Sequence, residues 1–390
     1  MTFSSPSVFA SFPLLALLAI AVPAVSFTPQ NNFDEIARQA DSARKEGRAT
    51  EAIGLYRQAV QIHPSWSDGW LWLGDLLYEQ ERFPEAQNSF AHFVTITPAP
   101  GPAWVMKALC EFELRDYAHS SQDLNTWIHG GRQGNEALAD VADFHWALLL
   151  TREGHFDQAL QLLTERAQLR GESPLLIEAM GLASLRMPNV PEDYPPGLRE
   201  EVWLAGKASF YLAVQEFERG QDYSHRLLVD YDQQPGVHCM HGLLLKAQSK
   251  SGEAAQEFHE ELQISPENSE AMLALAQIDI DNRALQEAMS LARQAVQIDP
   301  ANPDAHHVLG RVLLAAGHAN ESSRELESAE RLAPNRAAIH FDLSKAYQQL
   351  GRKLDAQREM STYSAIKKKS LAEKSSMETR DAPQSPEAPQ

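Results

Sequence analysis

Residues 67–98 read SDGWLWLGDLLYEQERFPEAQNSFAHFVTITP, and this stretch decides the fold. Trp70, Leu73 and Leu77 fall on one helical face, and Phe83 and Phe90 fall on the face of a second helix that follows it. Pro98 closes the stretch 34 residues after Pro64, and Pro266, Pro300 and Pro334 keep the same interval. A sustained period of that length marks stacked helical hairpins and not one compact core.

With the proline set at position 32, complete units begin at Phe33, Ser67, Gly101, Asp140, Glu201, Pro235, Ser269, Pro303 and Ala337, and a truncated one begins at Pro174. Position 8 is then Gly74, Ala108, Gly242, Ala276 or Gly310, and position 20 is Ala52, Ala86, Gly220, Ala288 or Ser322. Two antiparallel helices approach closely only where neither carries bulk at the crossing, so small residues at these places have a packing cause. Helix ends are also written in. Asn302 is placed to cap, Pro303 suits a first turn, Asp304 sits at the positive end of the helix dipole, and Gly47, Gly154, Gly317 and Gly351 supply permissive turns. Trp127 and Arg166 replace the small residue of position 27, which predicts tilted units in the middle of the chain.

These residues resemble the tetratricopeptide repeat family. Its loose consensus appears most fully in Trp70, Leu73, Gly74, Leu77, Ala86, Phe90 and Pro98, and again in Leu309, Gly310, Leu313, Leu326, Ala329 and Pro334. The resemblance runs from Phe33 to Lys369 and implies an all-α, right-handed α-solenoid of about nine helix-turn-helix units plus one truncated unit. It implies function only as a scaffold, because the family recognises many unrelated partners. The chain also resembles exported bacterial proteins of this family that have no assigned partner.

In proteins that this chain resembles, positions 2, 5, 6, 9 and 12 of each first helix line a concave groove. At the front those positions hold Leu71, Trp72, Asp75 and Tyr78, then Val105, Met106, Leu109 and Phe112, then Phe144, His145 and Leu148. This apolar set would either receive an amphipathic peptide segment, with Asp75 and His145 as polar anchors, or be buried against neighbouring units or under a proline-rich insertion. The rear set is polar: Gln277, Asp281, Asp304, His307, Arg311, Asp342, Lys345 and Gln348. There Arg311 and Lys345 would hold an acidic group unless Asp304 and Asp342 neutralise them.

The composition fits a packed array, with 43% hydrophobic and 8% aromatic residues. A formal charge of −19 argues against nucleic acid as a partner, since no basic stripe is present to neutralise phosphates. A protein or peptide partner is expected, homo-oligomer formation is the alternative, and the acidity serves either a solvated outer surface or recognition of a cationic partner. Residues 1–26 hold a short apolar run, Phe12 to Val25, broken by Pro13 and Pro23, and predict a cleaved secretory signal with a periplasmic or secreted product. No Lys or Arg precedes Arg38, so an uncleaved membrane anchor is the competing reading. Residues 27–186 and 201–369 are expected as two sub-arrays joined by the proline-rich insertion 187–200, and residues 370–390 as a disordered tail. Cys110 and Cys239 lie four units apart and are expected as free, buried thiols.

No catalytic chemistry is legible. His238, Cys239, Met240 and His241 are the densest cluster of potential ligands, but His238 and His241 take positions 4 and 7, which face the partner helix, and His306 and His340 repeat position 4. Two histidines alone also leave a tetrahedral metal shell incomplete. The chain has no G-x-S-x-G elbow and no phosphate-cradling glycine loop. A non-catalytic scaffold with no metal and no cofactor is the resulting expectation; a small-molecule binder and an enzyme with an unrecognised site are the remaining alternatives.

Overall fold

The structure is a computed structural model that describes residues 29–380 apart from Asn135 and Glu192. The expected signal, 1–26, lies outside the described residues, as do 381–390. Among the described residues there are no strands, and the helices follow in pairs. The first pairs are α1 (Pro29–Lys45) with α2 (Ala49–Ile62) and α3 (Ser67–Tyr78) with α4 (Phe83–Ile96). Next come α5 (Pro102–Glu113), α6 (Tyr117–His129), α7 (Glu136–Arg152), α8 (Phe156–Arg170), α9 (Pro174–Ser184), α10 (Arg199–Ala213) and α11 (Phe217–Tyr231). The last four pairs are α12 (Val237–Ala247) with α13 (Ser251–Ile264), α14 (Ser269–Asp281) with α15 (Leu285–Ile298), α16 (Pro303–Ala315) with α17 (Ala319–Leu332), and α18 (Ala337–Gln349) with α19 (Lys353–Arg380).

The chain divides into two compact units, the first ending at Asp116 and the second beginning at Tyr117. In the first, Ala40, Tyr56, Leu77, Ala86 and Phe90 are the buried centre of the helical pairs. A Cβ added at Gly74 would meet the Phe90 ring at 2.7 Å, so the small residue of position 8 lies at a helix crossing as expected. The second unit repeats the device. A Cβ on Gly310 would meet Leu326 Cγ at 2.6 Å, and the fully buried Ser322 donates to the Gly310 carbonyl at 2.8 Å. Asn302 accepts from the backbone of Asp304 and Ala305 at 2.9 and 3.3 Å, which is the cap its position promised.

Every complete unit ends its first helix on a residue of positive φ at position 15. Glycine fills it where expected, at Gly47, Gly154, Gly317 and Gly351, but Glu81, Arg115, Gln215, Ser249 and Arg283 adopt the same conformation. The following backbone N–H reaches back across the turn, as from Ala284 to the Asp279 carbonyl at 2.9 Å. A Cβ at φ 65° is strained, so Arg283→Gly is expected to stabilise the second unit by about 1 kcal/mol, read as a higher urea midpoint at constant slope.

Two boundaries differ from the sequence expectation. The proline-rich segment 187–200 does not separate the compact units; it lies inside the second one. Its prolines stop the helix, yet Val190 is fully buried and Met187, Tyr194 and Leu198 pack on a core made by α9, α10 and α12. On either side of it α9 and α10 cross with backbone nearly touching backbone: Gly181 faces the Val202 carbonyl and Gly206 faces the Ile177 carbonyl. The tail expected to be unstructured from 370 is helical through Arg380, where the helix formers Leu371, Ala372, Glu373 and Lys374 extend α19. Trp127, foreseen as a misfit, is fully buried and donates its indole N–H to the Gln133 carbonyl at 2.7 Å.

Candidate functional site

The front positions are mostly interior. Val105, Leu109 and Phe112 on α5 are buried, at 0%, 3% and 7% exposure, so they form no open apolar groove. Leu71, Trp72 and Tyr78 on α3 and Met106 on α5 are half-buried and pack against the core of the first unit. The Arg44 guanidinium stands 4.0 Å over the Trp72 ring. Asp75 lies beside them, its carboxyl pushed up to about 6 by burial and by Glu79, with Arg44 opposing. In the second unit Phe144 and Leu148 on α7 are buried, and Arg166 of α8 covers the Phe144 ring at 4.8 Å. His145 is spent locally, its Nδ1 against the Val141 carbonyl at 2.8 Å.

The rear cations converge on one carboxylate. His307 Nε2 meets Asp342 Oδ2 at 3.0 Å, Arg311 approaches the same oxygen at 3.8 Å, and Lys345 approaches Oδ1 at 3.5 Å. Burial alone would raise the Asp342 carboxyl, but the hydrogen bond and charge of His307, with Lys345 and Arg311, hold it below the ordinary value. Asp342 therefore neutralises the group read as an anion holder.

The concave space that remains open is in the second unit, between α8 and the first helices of the later pairs. The α8 end is pinned there: Asp157 takes a hydrogen bond from Ser269 and an ion pair from Arg186 at 3.2 Å, and Gln158 donates to Asp299 at 3.1 Å. Arg186 also donates to Asn268 Oδ1 at 3.3 Å. Two adjoining cavities result, of about 260 and 500 Å³, sharing Leu160, Thr164, Leu243 and Glu270. The smaller is chiefly apolar, with Met180, Leu212 and Met240 in its wall. The larger is mixed, with Leu273 and Ala274 in its wall and Glu165, Lys246, Gln277 and the Asp304–Arg336 ion pair at its border.

Of this lining, the sequence names Gln277 and Asp304 as groove residues, Asn302 as a cap, and Cys239 and Met240 only as members of the histidine cluster. Cys239, Met240, Leu243, Lys246, Glu270, Leu273 and Ala274 occupy the same groove positions and were findable by the same rule. The α8 residues were not, since second helices are not expected to line a groove.

Glu270 is the unusual member. Burial, with Asp157 nearby, raises its carboxyl well above the ordinary value, against the opposing charges of Arg186 and Lys246. Its one polar contact among the described residues is the Cys239 thiol at 3.9 Å. Cys239 is buried and free, its thiol raised chiefly by burial, so it lines the cavity as an apolar group. Its neighbours point elsewhere: His238 Nδ1 meets Glu257 at 2.7 Å and His241 Nδ1 meets Ser224 Oγ at 2.9 Å.

The position 4 histidines tie helices together. His306 meets Glu325 at 2.7 Å and the Pro300 carbonyl at 3.0 Å, and His340 meets Glu359 and the Pro334 carbonyl, both at 2.8 Å. Trp70 makes the equivalent bond to the Pro64 carbonyl at 2.9 Å. Glu330 joins His340 and Glu359 in a group of atoms within 4.8 Å of one another. The Nε2 of His340 donates to the Pro334 carbonyl, and its Nδ1 faces Glu359 and, at 3.9 Å, Glu330.

Known proteins match in part. Models of the tetratricopeptide repeat match residues 38–91, 239–303 and 279–336. No curated protein matches the chain. Among solved structures, a crystal structure of MamA is 14% identical and covers 42% of this chain and 96% of its own, with a TM-score of 0.37. MamA 41-end from Desulfovibrio magneticus RS-1 is 14% identical over 43% of this chain and 94% of its own, at 0.38. MamA MSR-1 C2 is 17% identical over 44% and 99%, at 0.36. Matches to the tetratricopeptide repeat fall in both compact units, and the paired helices, small crossings and position 15 turns recur in each, so the chain carries tetratricopeptide repeats.

Proposed function

We propose that this protein is an exported, non-catalytic scaffold that receives an extended segment of a partner protein on the inner face of its second unit. The observation that carries the reading is the closure of α8 over that face, which makes a walled space where a repeat array would otherwise present an open one. Apolar walls at one end and hydrogen-bonding groups at the other suit a segment with one anchoring side chain and a polar main chain. Export rests on the apolar run before Ser26, and no helix among the described residues is long and apolar enough to cross a membrane.

Gln161 is exposed at the cavity border, whereas Val229 is exposed on α11 and does not line the cavity. Gln161→Trp is expected to reduce capture of a cross-linked neighbour at least about tenfold, with helicity unchanged, while Val229→Trp captures as the natural chain does. The neighbour that counts is one lost with the first variant and kept with the second, measured by proximity labelling in the protein's own cell. Undiminished capture by Gln161→Trp would remove the inner face as the receiving surface.

A further inference from the structure

We infer that the α8 cavity is a socket for a cationic side chain with an aliphatic stem, a lysine or arginine of the partner segment. The inference rests on the proposed inner-face reading and goes beyond it by naming what the socket selects.

Each cation around the cavity has a polar partner, although that of Lys246 is a neutral amide that leaves its charge in place. Arg186 is held by Asp157 at 3.2 Å and by Asn268 at 3.3 Å, Arg336 by Asp304, and the Lys246 ammonium donates to Gln277 Oε1 at 2.6 Å. Glu165 has no hydrogen bond or ion pair among the described residues, and Glu270 has only the 3.9 Å thiol contact. Glu270 belongs to both cavities, at the junction of the apolar pocket and the polar opening. A side chain reaching that junction lays its methylenes along Leu160 and Leu243, which both cavities share, and brings its tip to the Glu270 carboxyl.

An acidic side chain would meet the half-buried Glu270 at close range, with Glu165 at the exposed border, and be disfavoured. A wholly apolar one would fill the pocket but leave Glu270 unpaired. The chain's charge of −19 favours a cationic segment in the same sense. Since burial has already raised the Glu270 carboxyl, arrival of an ammonium favours its ionised form and releases a proton.

The test uses the full chain and four model compounds: Nα-acetyl-lysine methylamide, its norleucine and glutamate counterparts, and free cadaverine, titrated by NMR. Acetyl-lysine methylamide is expected to bind at least about tenfold more tightly than the norleucine compound, to release a proton in weakly buffered solution at pH 6, and to lose its advantage in Glu270→Gln. Glutamate methylamide is expected not to bind. Equal binding of the lysine and norleucine compounds in the natural chain overturns the charge selection and leaves the inner-face reading standing. Binding of cadaverine alone overturns the socket in favour of a small-amine site. Binding of none of the four also overturns the socket, and the Gln161→Trp capture assay then decides separately whether the inner face receives a partner at all. The comparison within the natural chain decides the matter even if Glu270→Gln folds poorly.

Discussion

Gly206→Ala should destabilise the second unit by about 3 kcal/mol or more, although helix propensity taken alone favours alanine by about 1 kcal/mol. Gly206 lies on α10 where that helix crosses α9, and a Cβ there would fall well inside van der Waals contact of the Ile177 carbonyl oxygen. A flexible side chain in the way would swing aside; a helix carbonyl cannot. Relief therefore needs the two helices to part, and parting strips contacts from Leu182, Val202, Leu204 and Ala205, all fully buried. Gly181 makes the reciprocal approach to the Val202 carbonyl, so the crossing has no slack on either side. The control is Gly54→Ala on α2, where nothing lies within 4 Å of the added carbon and a gain of about 0.5–1 kcal/mol is expected. Urea unfolding followed by circular dichroism separates the two, and a stabilised Gly206→Ala would mean that α9 and α10 do not meet as described.

Glu261→Ala is expected to cost about 3–5 kcal/mol. The carboxylate is fully buried and accepts from Gly236 N at 2.9 and 3.0 Å, Cys239 N at 3.2 Å and Asn268 Nδ2 at 2.8 Å. It thus takes up the free N–H groups at the start of α12, where the helix dipole favours negative charge, and steadies the residue that caps α14. Alanine leaves these donors buried and unmade. Glu261→Gln retains an acceptor but turns an NH2 toward donors, and an intermediate loss of about 2 kcal/mol is expected. Denaturant midpoints give the energies, and faster amide exchange at Gly236 and Cys239 would locate the damage at the α12 start. Unchanged stability in the alanine variant would show that water serves these groups equally well.

Much of the architecture could be read before any coordinates. Gly74, Ala86, Gly310 and Ser322 were placed at helix crossings by period alone, and they lie there because an antiparallel pair tolerates no bulk where its axes come closest. The same reading failed at 187–200. Four prolines mark a break in helix, but a break in helix is not a break in packing. Val190 and the Gly181–Gly206 crossing show that the chain can leave helical geometry while its apolar side chains stay in the core.

The groove residues show a similar divide. Their positions in the repeat were known, and the rule that named Gln277 and Asp304 would equally have reached Glu270 and Met240. Exposure was not knowable in this way, since Leu109, Phe112 and Leu148 occupy groove positions and are nevertheless buried.

Sequence alone determined the helical pairs, their small crossings and the absence of a recognisable catalytic motif, because these depend on contacts within about one period of the chain. Tertiary structure alone decided which concave positions are walled in and which carboxylates face them. Those depend on α8 meeting residues more than a hundred positions away, Asp157 with Ser269 and Gln158 with Asp299, and no local period encodes an accumulated turn. A small rotation at each helical pair, summed along the second unit, is what brings them together.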